Sequence, residues 1–436
     1  MALTGRTALL AALGSLIVGL LLPSWAGIGA VSGILLLAVL LDLLLAAPVR
    51  SLQLARSGDS TVRLGEPATV ELSVSNPAGH RLRAQLRDAW APSAFAPGTE
   101  LTAGRHRIDV PSGERRRVST ALRPTRRGDH QSQRVTIRSL GPLGLAGRQG
   151  SHQVPWTVRA LPPFTSRKHL PSRLARLREL DGRTSLLTRG QGTEFDSLRE
   201  YLPGDDVRSI DWRASARRHT VAVRTWRPER DRHILIVLDT GRTSAGRVGD
   251  APRLDAALDA ALLLTALATQ AGDRVDLLAH DLRQRTAVLG RTAGDVLPAF
   301  TNAMALLEPE LVETDLRALT AATLRLAPRR SLIVLLTGLD TGPAEDGLLP
   351  MLPRLTQRHE VVVAAVADPR LDELAAGRGT VQALYGAAAA AQTQADRRAV
   401  ADRLTRLGAT VLDASPHTLP PALADTYLAL KAAGRL

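Results

Sequence analysis

Residues 233–239, HILIVLD, form a continuous apolar run that ends in an aspartate. A run of this kind is typical of a strand that is buried on both faces within a parallel sheet. Four more apolar runs and six helical patterns follow it, the runs at 274–280, 331–340, 359–368 and 409–415 and the helices at 250–273, 294–307, 315–327, 345–357, 389–406 and 418–433. Strands that alternate with helices predict a doubly wound α/β domain over residues 232–436.

Upstream of this domain, residues 51–160 consist of short alternating runs. VRLGEPATVELSVSN (62–76) and RHRIDVPSGERRRVSTAL (105–122) alternate apolar and polar residues around Gly and Pro turns. Several such runs at roughly ten-residue spacing predict an antiparallel β-sandwich. GPLGLAG (141–147) is a turn cluster that closes this region.

Residues 161–231 are expected to hold a linker and a charged motif. Within the linker, a short amphipathic helix is predicted around 171–180. Two roles are open for this helix. It is expected to be a solvated connector, and the alternative is a basic face that binds lipid.

Residues 1–50 contain two apolar segments, 7–22 and 28–49. The second segment reaches the roughly 20 residues that a membrane-spanning helix needs. A cleaved signal peptide is the alternative, but a second apolar segment follows at once. Basic residues come after the second segment and not between the two. The sequence therefore predicts a transmembrane helical hairpin in the cell inner (plasma) membrane, with the soluble domains cytoplasmic. Asp42 lies near the inner end of the second span, where the interface is within its reach.

The formal net charge of +14 comes from the region before residue 232, because the remainder is slightly acidic. Anionic membrane lipid attracts such a surface by about 1 kcal/mol per basic residue near the membrane. The basic half has no aromatic stacking platform, so membrane lipid is an expected partner and nucleic acid is not. The chain has no cysteine, which excludes disulfides and thiolate metal sites.

Residues 192–217, GTEFDSLREYLPGDDVRSIDWRASAR, mix acidic, basic and aromatic residues without apolar periodicity. One interpretation is a clasp that locks the linker onto the α/β domain through internal ion pairs. In that case Trp212 and Asp211 are buried, while Arg199, Glu200 and Asp206 are partly exposed. The other interpretation is a partner surface, since charges with large amphipathic rings are typical of interface hot spots. The candidate residues for either role are Glu194, Arg199, Glu200, Tyr201, Gly204, Asp205, Asp206, Arg208, Asp211 and Trp212.

A helical hairpin, a β-rich region, this motif and a von Willebrand factor A-like sheet together resemble the bacterial domain of unknown function 58 family. The matching motif residues are Gly192, Glu194, Phe195, Arg199, Glu200, Tyr201, Gly204, Asp205, Asp206, Arg208, Ile210, Asp211 and Trp212. The resemblance implies an inner-membrane protein that works beside a MoxR-type AAA+ ATPase in chaperone-like maturation of protein complexes. It also implies an unknown protein client and no established catalytic activity.

The von Willebrand factor A-like resemblance raises the question of a Mg²⁺ site. Such domains often hold the ion with an Asp-x-Ser-x-Ser turn, a distant Thr and a further Asp, which are all hard oxygen ligands. Gly241 and Gly338 stand where two of these oxygens are expected, and Arg242 would repel a cation. We therefore expect no functional cofactor, with Asp239 bonding its own loop instead. The residues of this degenerate metal site are Asp239, Thr243, Thr314 and Asp340.

Enzyme motifs are absent from the sequence: it has no nucleophile elbow, no phosphate-binding loop and no dinucleotide fingerprint. The leading hypothesis is a membrane-anchored, non-enzymatic adaptor. The alternative is a metal-dependent adhesion or ligand-binding module that faces outward.

Overall fold

The computed structural model describes residues 2–21, 23–99, 102–187, 194–202, 205, 207–218, 220–227 and 232–436. The chain divides into two compact units, Met1–Pro163 and Phe164–Leu436. The second unit therefore begins close to where the linker was predicted to start, and the expected linker residues belong to it.

The first unit begins with two apolar helices, α1 (Gly5–Leu21) and α2 (Trp25–Leu45). The Ser24 side chain accepts a hydrogen bond from the Gly27 N–H and so caps the start of α2. The segment Trp25–Ser51 is long and apolar enough to cross a membrane, and α1 is shorter. By length and composition, the described chain therefore has one candidate membrane span near its N-terminus.

The strands among the described residues of the first unit are, in chain order, β1 (Ala2–Leu3), β2 (Gln53–Gly58), β3 (Thr61–Arg63), β4 (Ala68–Ser75), β5 (Leu82–Trp90), β6 (Arg105–Val110), β7 (Arg115–Leu122), β8 (Gly128–Leu140), β9 (Ala146–Gln153) and β10 (Thr157–Leu161). One sheet has the order β1-β9-β8-β10-β3, with β5 joining β8 and β6 joining β5, and a second sheet has the order β2-β4-β7. Leu72 and Val74 of β4 share a core with Leu86 of β5 and Ile137 of β8, so the two sheets pack against each other. The alternating runs in the sequence form strands because every second residue enters this core.

A buried ion pair connects the two sheets of this unit. Arg56 on β2 donates two hydrogen bonds to Asp88 on β5, at 2.9 and 2.6 Å. The same carboxylate accepts hydrogen bonds from Trp90 Nε1 (3.0 Å) and Thr120 Oγ1 (3.2 Å). Both charged side chains are almost completely buried, and these additional hydrogen bonds offset part of the desolvation cost.

Asp42 does not extend toward solvent as the sequence predicted. Its carboxylate is fully buried and accepts hydrogen bonds from the backbone N–H groups of Leu143 (2.8 Å), Leu145 (2.6 Å) and Ala146 (2.8 Å). The approach is so close that a Cβ on Gly141 would lie 2.1 Å from Asp42 Oδ1. The GPLGLAG turn between β8 and β9 thus binds the end of helix α2, because it supplies three donors to one buried anion.

The helices among the described residues of the second unit are α3 (Leu170–Leu187), α4 (Trp212–Arg218), α5 (Arg242–Ala245), α6 (Arg253–Gln270), α7 (Ala293–Ala305), α8 (Leu316–Leu326), α9 (Thr341–Pro343), α10 (Leu349–Thr356), α11 (Arg370–Ala375), α12 (Val381–Arg406) and α13 (Leu419–Ala432). Its strands are β11 (Glu194–Glu200), β12 (Ala222–Arg227), β13 (His233–Asp239), β14 (Arg247–Val248), β15 (Ala251–Pro252), β16 (Arg274–His280), β17 (Gln284–Val288), β18 (Leu332–Leu336), β19 (Glu360–Val366) and β20 (Thr410–Ala414).

The central sheet of this unit has the strand order β17-β16-β13-β18-β19-β20. All neighbours in it are parallel except β17, which pairs antiparallel with β16 at one edge. One face is covered by α3, α6, α7 and α13, and the other by α8, α10 and α12. The predicted α/β domain with helices on both faces is therefore confirmed.

Strands β13 and β16 have the bounds that the sequence predicted, and most other elements differ by a few residues at their ends. Two helices differ more from their predictions. The helix expected over 345–357 is interrupted: a single turn of π-helix occupies Ala344–Leu348 before α10 begins. The helix expected from 389 begins at Val381, where the Thr380 side chain accepts a hydrogen bond from the Ala383 N–H. An alanine-rich segment gave no apolar periodicity from which that start could be predicted.

Helix α3 is not the solvated connector that the sequence predicted. Leu177 is buried in the core of the second unit, and Leu170 and Leu174 pack against the same core. Just before the helix, the Ser166 N–H and hydroxyl bond the side chain of Asp259 on α6. These contacts make the helix part of the α/β fold, because its apolar side is removed from water.

Candidate functional site

The carboxylate of Asp239, the last residue of β13, lies at the carboxyl edge of the sheet and is saturated with hydrogen bonds. Oδ1 accepts from the Gly241 N–H (2.9 Å) and from Thr314 Oγ1 (2.5 Å). Oδ2 accepts from Thr243 Oγ1 (2.9 Å) and Thr337 Oγ1 (2.6 Å). Three hydroxyls from three different loops therefore converge on one buried anion, and we name this place the strand-end crevice.

Asp340, the other predicted acidic ligand, bonds to guanidinium groups. Arg253 Nη1 lies 3.1 Å from Asp340 Oδ2, and Arg397 Nη1 lies 3.9 Å from Oδ1. Arg397 is itself almost fully buried and pairs with Asp413 at 2.6 Å. The negative charge of Asp340 is thus neutralised by residues of the protein.

The loops around the crevice are held together by backbone hydrogen bonds and ion pairs. The Arg242 N–H donates to Val312 O at 2.8 Å, and the Glu310 N–H donates to Thr240 O at 2.8 Å. Arg242 also forms an ion pair with Glu313, and this pair neutralises part of the positive charge of Arg242 at the rim. These contacts hold the rim of the crevice in one arrangement.

A second ion pair at the rim involves Asp281 and Arg285. Burial raises the pKa of Asp281, but hydrogen bonds from Arg285 and the Arg283 N–H outweigh it and hold the pKa below its ordinary value. Arg285 also pairs with Glu310 at 2.6 Å. The carboxylate therefore stays ionised and continues to anchor the loop at neutral pH.

The crevice does not fit a resident divalent cation. Mg²⁺ needs several oxygen ligands in near-octahedral geometry. Here the hydroxyl hydrogens are directed at Asp239, and Arg253 contacts Asp340. Among the residues that the structure describes, no group of three His, Asp or Glu side chains is arranged to hold a metal.

The charged motif forms a two-stranded ribbon, which the sequence did not predict. Strands β11 and β12 pair antiparallel, with Arg199 opposite Val223 and Glu200 opposite Ala222. The Tyr201 N–H continues the pairing by donating to Val221 O at 2.8 Å. Helix α4 lies in the connection between the two strands. We call residues 194–227, as far as they are described, the ribbon.

Two aspartates stabilise the ribbon from within. Asp205 accepts two hydrogen bonds from the Arg199 guanidinium, at 2.8 and 2.5 Å, and this contact raises the pKa of Arg199. Asp211 caps helix α4, since its Oδ1 accepts from the N–H groups of Arg213 (3.0 Å) and Ala214 (2.9 Å). Both contacts are local, and they stabilise the connection between the two strands.

Trp212 does not behave as a clasp residue, so its predicted burial is wrong. Its side chain is 70% exposed, and Leu202 and Val207 are each 62% exposed. Trp212 is the first residue of α4, directly after the Asp211 carboxylate that caps this helix. Arg199 and Asp211 are half-buried and Glu200 is exposed.

The remaining motif residues have varied placements. Tyr201 is half-buried and Arg208 is exposed. Glu194 is the first residue of β11, opposite Arg227. Gly204 and Asp206 lie outside the described residues, and so does Gly192.

Sequence analysis missed three residues of the crevice. Thr337 directly follows the apolar run of β18, and a hydroxyl at the end of a buried parallel strand indicates a crevice residue. Arg253 stands at the first position of a helix, where acidic residues are favoured, and that anomaly is a detectable signal. Arg397 is a buried charge within a helix whose pattern gave no indication of it.

Comparisons with known proteins place this geometry in context. Residues 197–409 match the family model described as "Protein of unknown function DUF58". An uncharacterized protein of Mycobacterium tuberculosis (strain H37Rv) is 30% identical over 187 residues, which cover 42% of this chain and 58% of that protein. The uncharacterized protein YeaD of Bacillus subtilis (strain 168) is 24% identical over 194 residues, which cover 44% of this chain and 48% of that protein. The chain thus spans about half the length of these curated relatives.

A similar solved structure is the CARDB domain of a Pyrococcus furiosus protein. It is 14% identical, has a TM-score of 0.18, and covers 25% of this chain and 87% of that chain. A score this low carries no argument about fold or function. From strand β11 to just beyond helix α12, residues 197–409 of this chain match the DUF58 family of proteins of unknown function.

Proposed function

We propose that this chain is a membrane-anchored, non-enzymatic adaptor that binds a MoxR-type AAA+ ATPase through its ribbon and its strand-end crevice. In this proposal the α/β unit is a von Willebrand factor A-like domain. The two apolar helices form a transmembrane hairpin, and the α/β unit lies in the cytoplasm. The client protein is a further partner of the same assembly.

The exposed Trp212 carries the proposal. Large aromatic side chains that remain exposed on a folded surface are typical anchors of protein interfaces. Leu202 and Val207 add apolar area to the same ribbon, and the Arg199–Asp205 pair stabilises its connection. A surface that is apolar and already ordered loses little conformational entropy when a partner binds.

The crevice supports binding rather than catalysis. Its central carboxylate accepts four hydrogen bonds from its own loops. A general base needs a free lone pair directed at a substrate, and Asp239 has its oxygens engaged. In open α/β sheets this edge is where ligands bind.

The membrane anchor is supported by helix α2 and by Trp25 at its start. Trp25 is 89% exposed on the surface of the first unit. Tryptophan is favoured at the membrane interface, where one part of the ring is apolar and the other reaches water. The basic residues of the first unit add attraction to anionic membrane lipid.

The test is co-purification of the full chain from membranes in mild detergent, with nucleotide present. We expect an AAA+ ATPase among the bound proteins. Trp212→Ala is expected to reduce its recovery strongly, since a hot-spot loss of about 2 kcal/mol corresponds to roughly 30-fold in affinity. The thermal unfolding of Trp212→Ala should match the parent, because exposed substitutions change stability by about 0.5 kcal/mol or less.

The matched control is Leu374→Ala, which truncates an exposed apolar residue of α11 outside the ribbon. This variant should retain the ATPase. Absence of any AAA+ ATPase from the parent preparation contradicts the partner. A Trp212→Ala protein that keeps its partner contradicts the ribbon as the binding surface.

A further inference from the structure

Arg253 occupies an electrostatically unfavourable position. It is the first residue of the 18-residue helix α6, and its N–H donates to Gly246 O at 2.8 Å. The positive end of the helix dipole faces this position, so a cation there is disfavoured. The side chain is also largely buried, with 19% of it exposed. A nearby negative charge must offset both costs.

Asp340 provides that negative charge. Arg253 Nη1 lies 3.1 Å from Oδ2 and 3.4 Å from Oδ1 of this carboxylate. Arg253 Nε is buried and has no hydrogen-bond partner among the described residues. Since Nε gains no hydrogen bond, the Nη1 contact with Asp340 is what offsets the cost of burying this guanidinium.

Thr243 connects this ion pair to the centre of the crevice. Its hydroxyl donates to Asp239 Oδ2 at 2.9 Å, and its backbone oxygen lies 3.4 Å from Arg253 Nη1. On the other side, a Cβ on Gly338 would lie 2.8 Å from Asp340 Oδ2 and 3.0 Å from Thr243 Cβ. Asp239, Thr243, Asp340 and Arg253 therefore form one continuous cluster.

We propose that Arg253 is the resident cation of the strand-end crevice and replaces a divalent metal ion with a covalently attached positive charge. The guanidinium neutralises Asp340 and approaches the loop that Asp239 organises. Because the charge belongs to the chain, the crevice keeps its arrangement whether or not Mg²⁺ is present. This role of Arg253 does not depend on which protein binds the crevice.

The proposal has a consequence for a variant without this charge. Removing the guanidinium leaves Asp340 with the more distant guanidinium of Arg397, at 3.9 Å, and leaves Asp239 bonded to the hydroxyls of Thr243, Thr314 and Thr337. Carboxylate and hydroxyl oxygens are ligands that Mg²⁺ and Mn²⁺ accept. The cluster would then gain stability either from a divalent cation or from removal of the second carboxylate charge.

The test compares the full chain in detergent with Arg253→Gln, Arg253→Gln/Asp340→Asn and the control Arg247→Gln. Arg247 is an exposed arginine on β14 that donates to the Asp250 backbone oxygen, so it matches the chemical change without touching the crevice. Thermal unfolding is followed by calorimetry in a chelator and in millimolar Mg²⁺. Binding of Mn²⁺ is followed by loss of the free-ion signal in electron paramagnetic resonance.

In chelator we expect the parent and Arg247→Gln to unfold at the same temperature as in Mg²⁺, and Arg253→Gln to unfold several degrees lower. Mg²⁺ or the additional Asp340→Asn change should restore most of that loss. If Arg253→Gln does not fold, recovery of folding in the double variant supports the proposal, and failure to recover overturns it.

Three other results overturn the proposal. The first is a parent protein that Mg²⁺ stabilises as much as it stabilises Arg253→Gln. The second is an Arg253→Gln protein that unfolds like the parent in chelator. The third is an Arg253→Gln protein that neither Mg²⁺ nor Asp340→Asn rescues.

Discussion

At the scale of single residues, His359 shows how burial changes the charge of a side chain. It lies between α10 and β19, is 5% exposed, and has both ring nitrogens buried with no hydrogen-bond partner among the described residues. Burial lowers the pKa of His359, and the nearby charges of Arg358 and His233 lower it further. His233 itself contacts Asp276 and Ser331, each at 2.9 Å. The His359 ring is therefore held neutral in the folded protein.

A pH dependence of stability follows from this lowered pKa. Between the lowered pKa of His359 in the folded protein and the ordinary histidine pKa of about 6.5, the unfolded chain binds a proton at this position and the folded chain does not. The stability that the neutral ring contributes is complete above about pH 6.5 and is lost as the pH falls through the folded pKa.

We expect His359→Leu to reduce the fall in unfolding temperature between about pH 7 and 5, because leucine needs no protonation change. The measurement is thermal unfolding across that range by circular dichroism. His417→Leu, at an exposed histidine, is the control and should retain the parent slope. An unchanged slope in His359→Leu would show that this ring does not determine the pH dependence.

At the scale of elements, the end of helix α2 is joined to the β8–β9 turn through one carboxylate. Besides the three N–H groups that bond Asp42, Arg148 Nε donates to Leu43 O at 3.0 Å. Helix α1 contacts the same turn, since Thr7 Oγ1 donates to Leu145 O, and Thr4 Oγ1, just before the helix, donates to Gly144 O at 2.7 Å. The candidate membrane span is thus attached rigidly to the β unit.

Asp42→Ala is expected to lower the unfolding temperature by several degrees. Two buried N–H groups, of Leu145 and Ala146, and the partly buried N–H of Leu143 would lose their acceptor. Each buried loss costs about 1–3 kcal/mol before the turn relaxes. Leu44→Ala, at an exposed position two residues later, is the control. Fluorescence of Trp90 and Trp156 in the β unit reports unfolding, and equal midpoints for the two variants would contradict the role of Asp42.

At the scale of the whole molecule, the basic residues and the two apolar helices together predict how the proposed hairpin is oriented in the membrane. The basic residues follow the second apolar segment, and the short connection between α1 and α2 has none. Because basic residues favour the cytoplasmic side, the proposed hairpin has both ends inside the cell.

A reporter fused after Leu436 is therefore expected to be active only if it functions in the cytoplasm. A matched fusion at Ser24, between the two helices, should show the opposite behaviour. A C-terminal reporter that works only outside the membrane would contradict the adaptor and favour an outward-facing adhesion or ligand-binding module.

The sequence by itself determined five of the six strands of the central sheet, all except the edge strand β17. HILIVLD forms β13 with the predicted bounds, because a run of apolar residues encodes burial on both faces within a few neighbouring positions. Alternating apolar and polar residues likewise predicted strands β4 and β7, whose inward-facing residues recur at every second position. The position of the strand-end crevice could also be predicted, because ligand sites in such sheets lie where the predicted parallel strands end.

Only the tertiary structure decided what the polar residues do. Asp42 bonds residues about 100 positions away, and Arg253 contacts Asp340 across 87 positions. Trp212 remains exposed at the start of helix α4, although its residue type predicted burial. A charge or a ring has no periodic signal of its own. Its role depends on which distant donor or acceptor the fold brings within hydrogen-bonding distance.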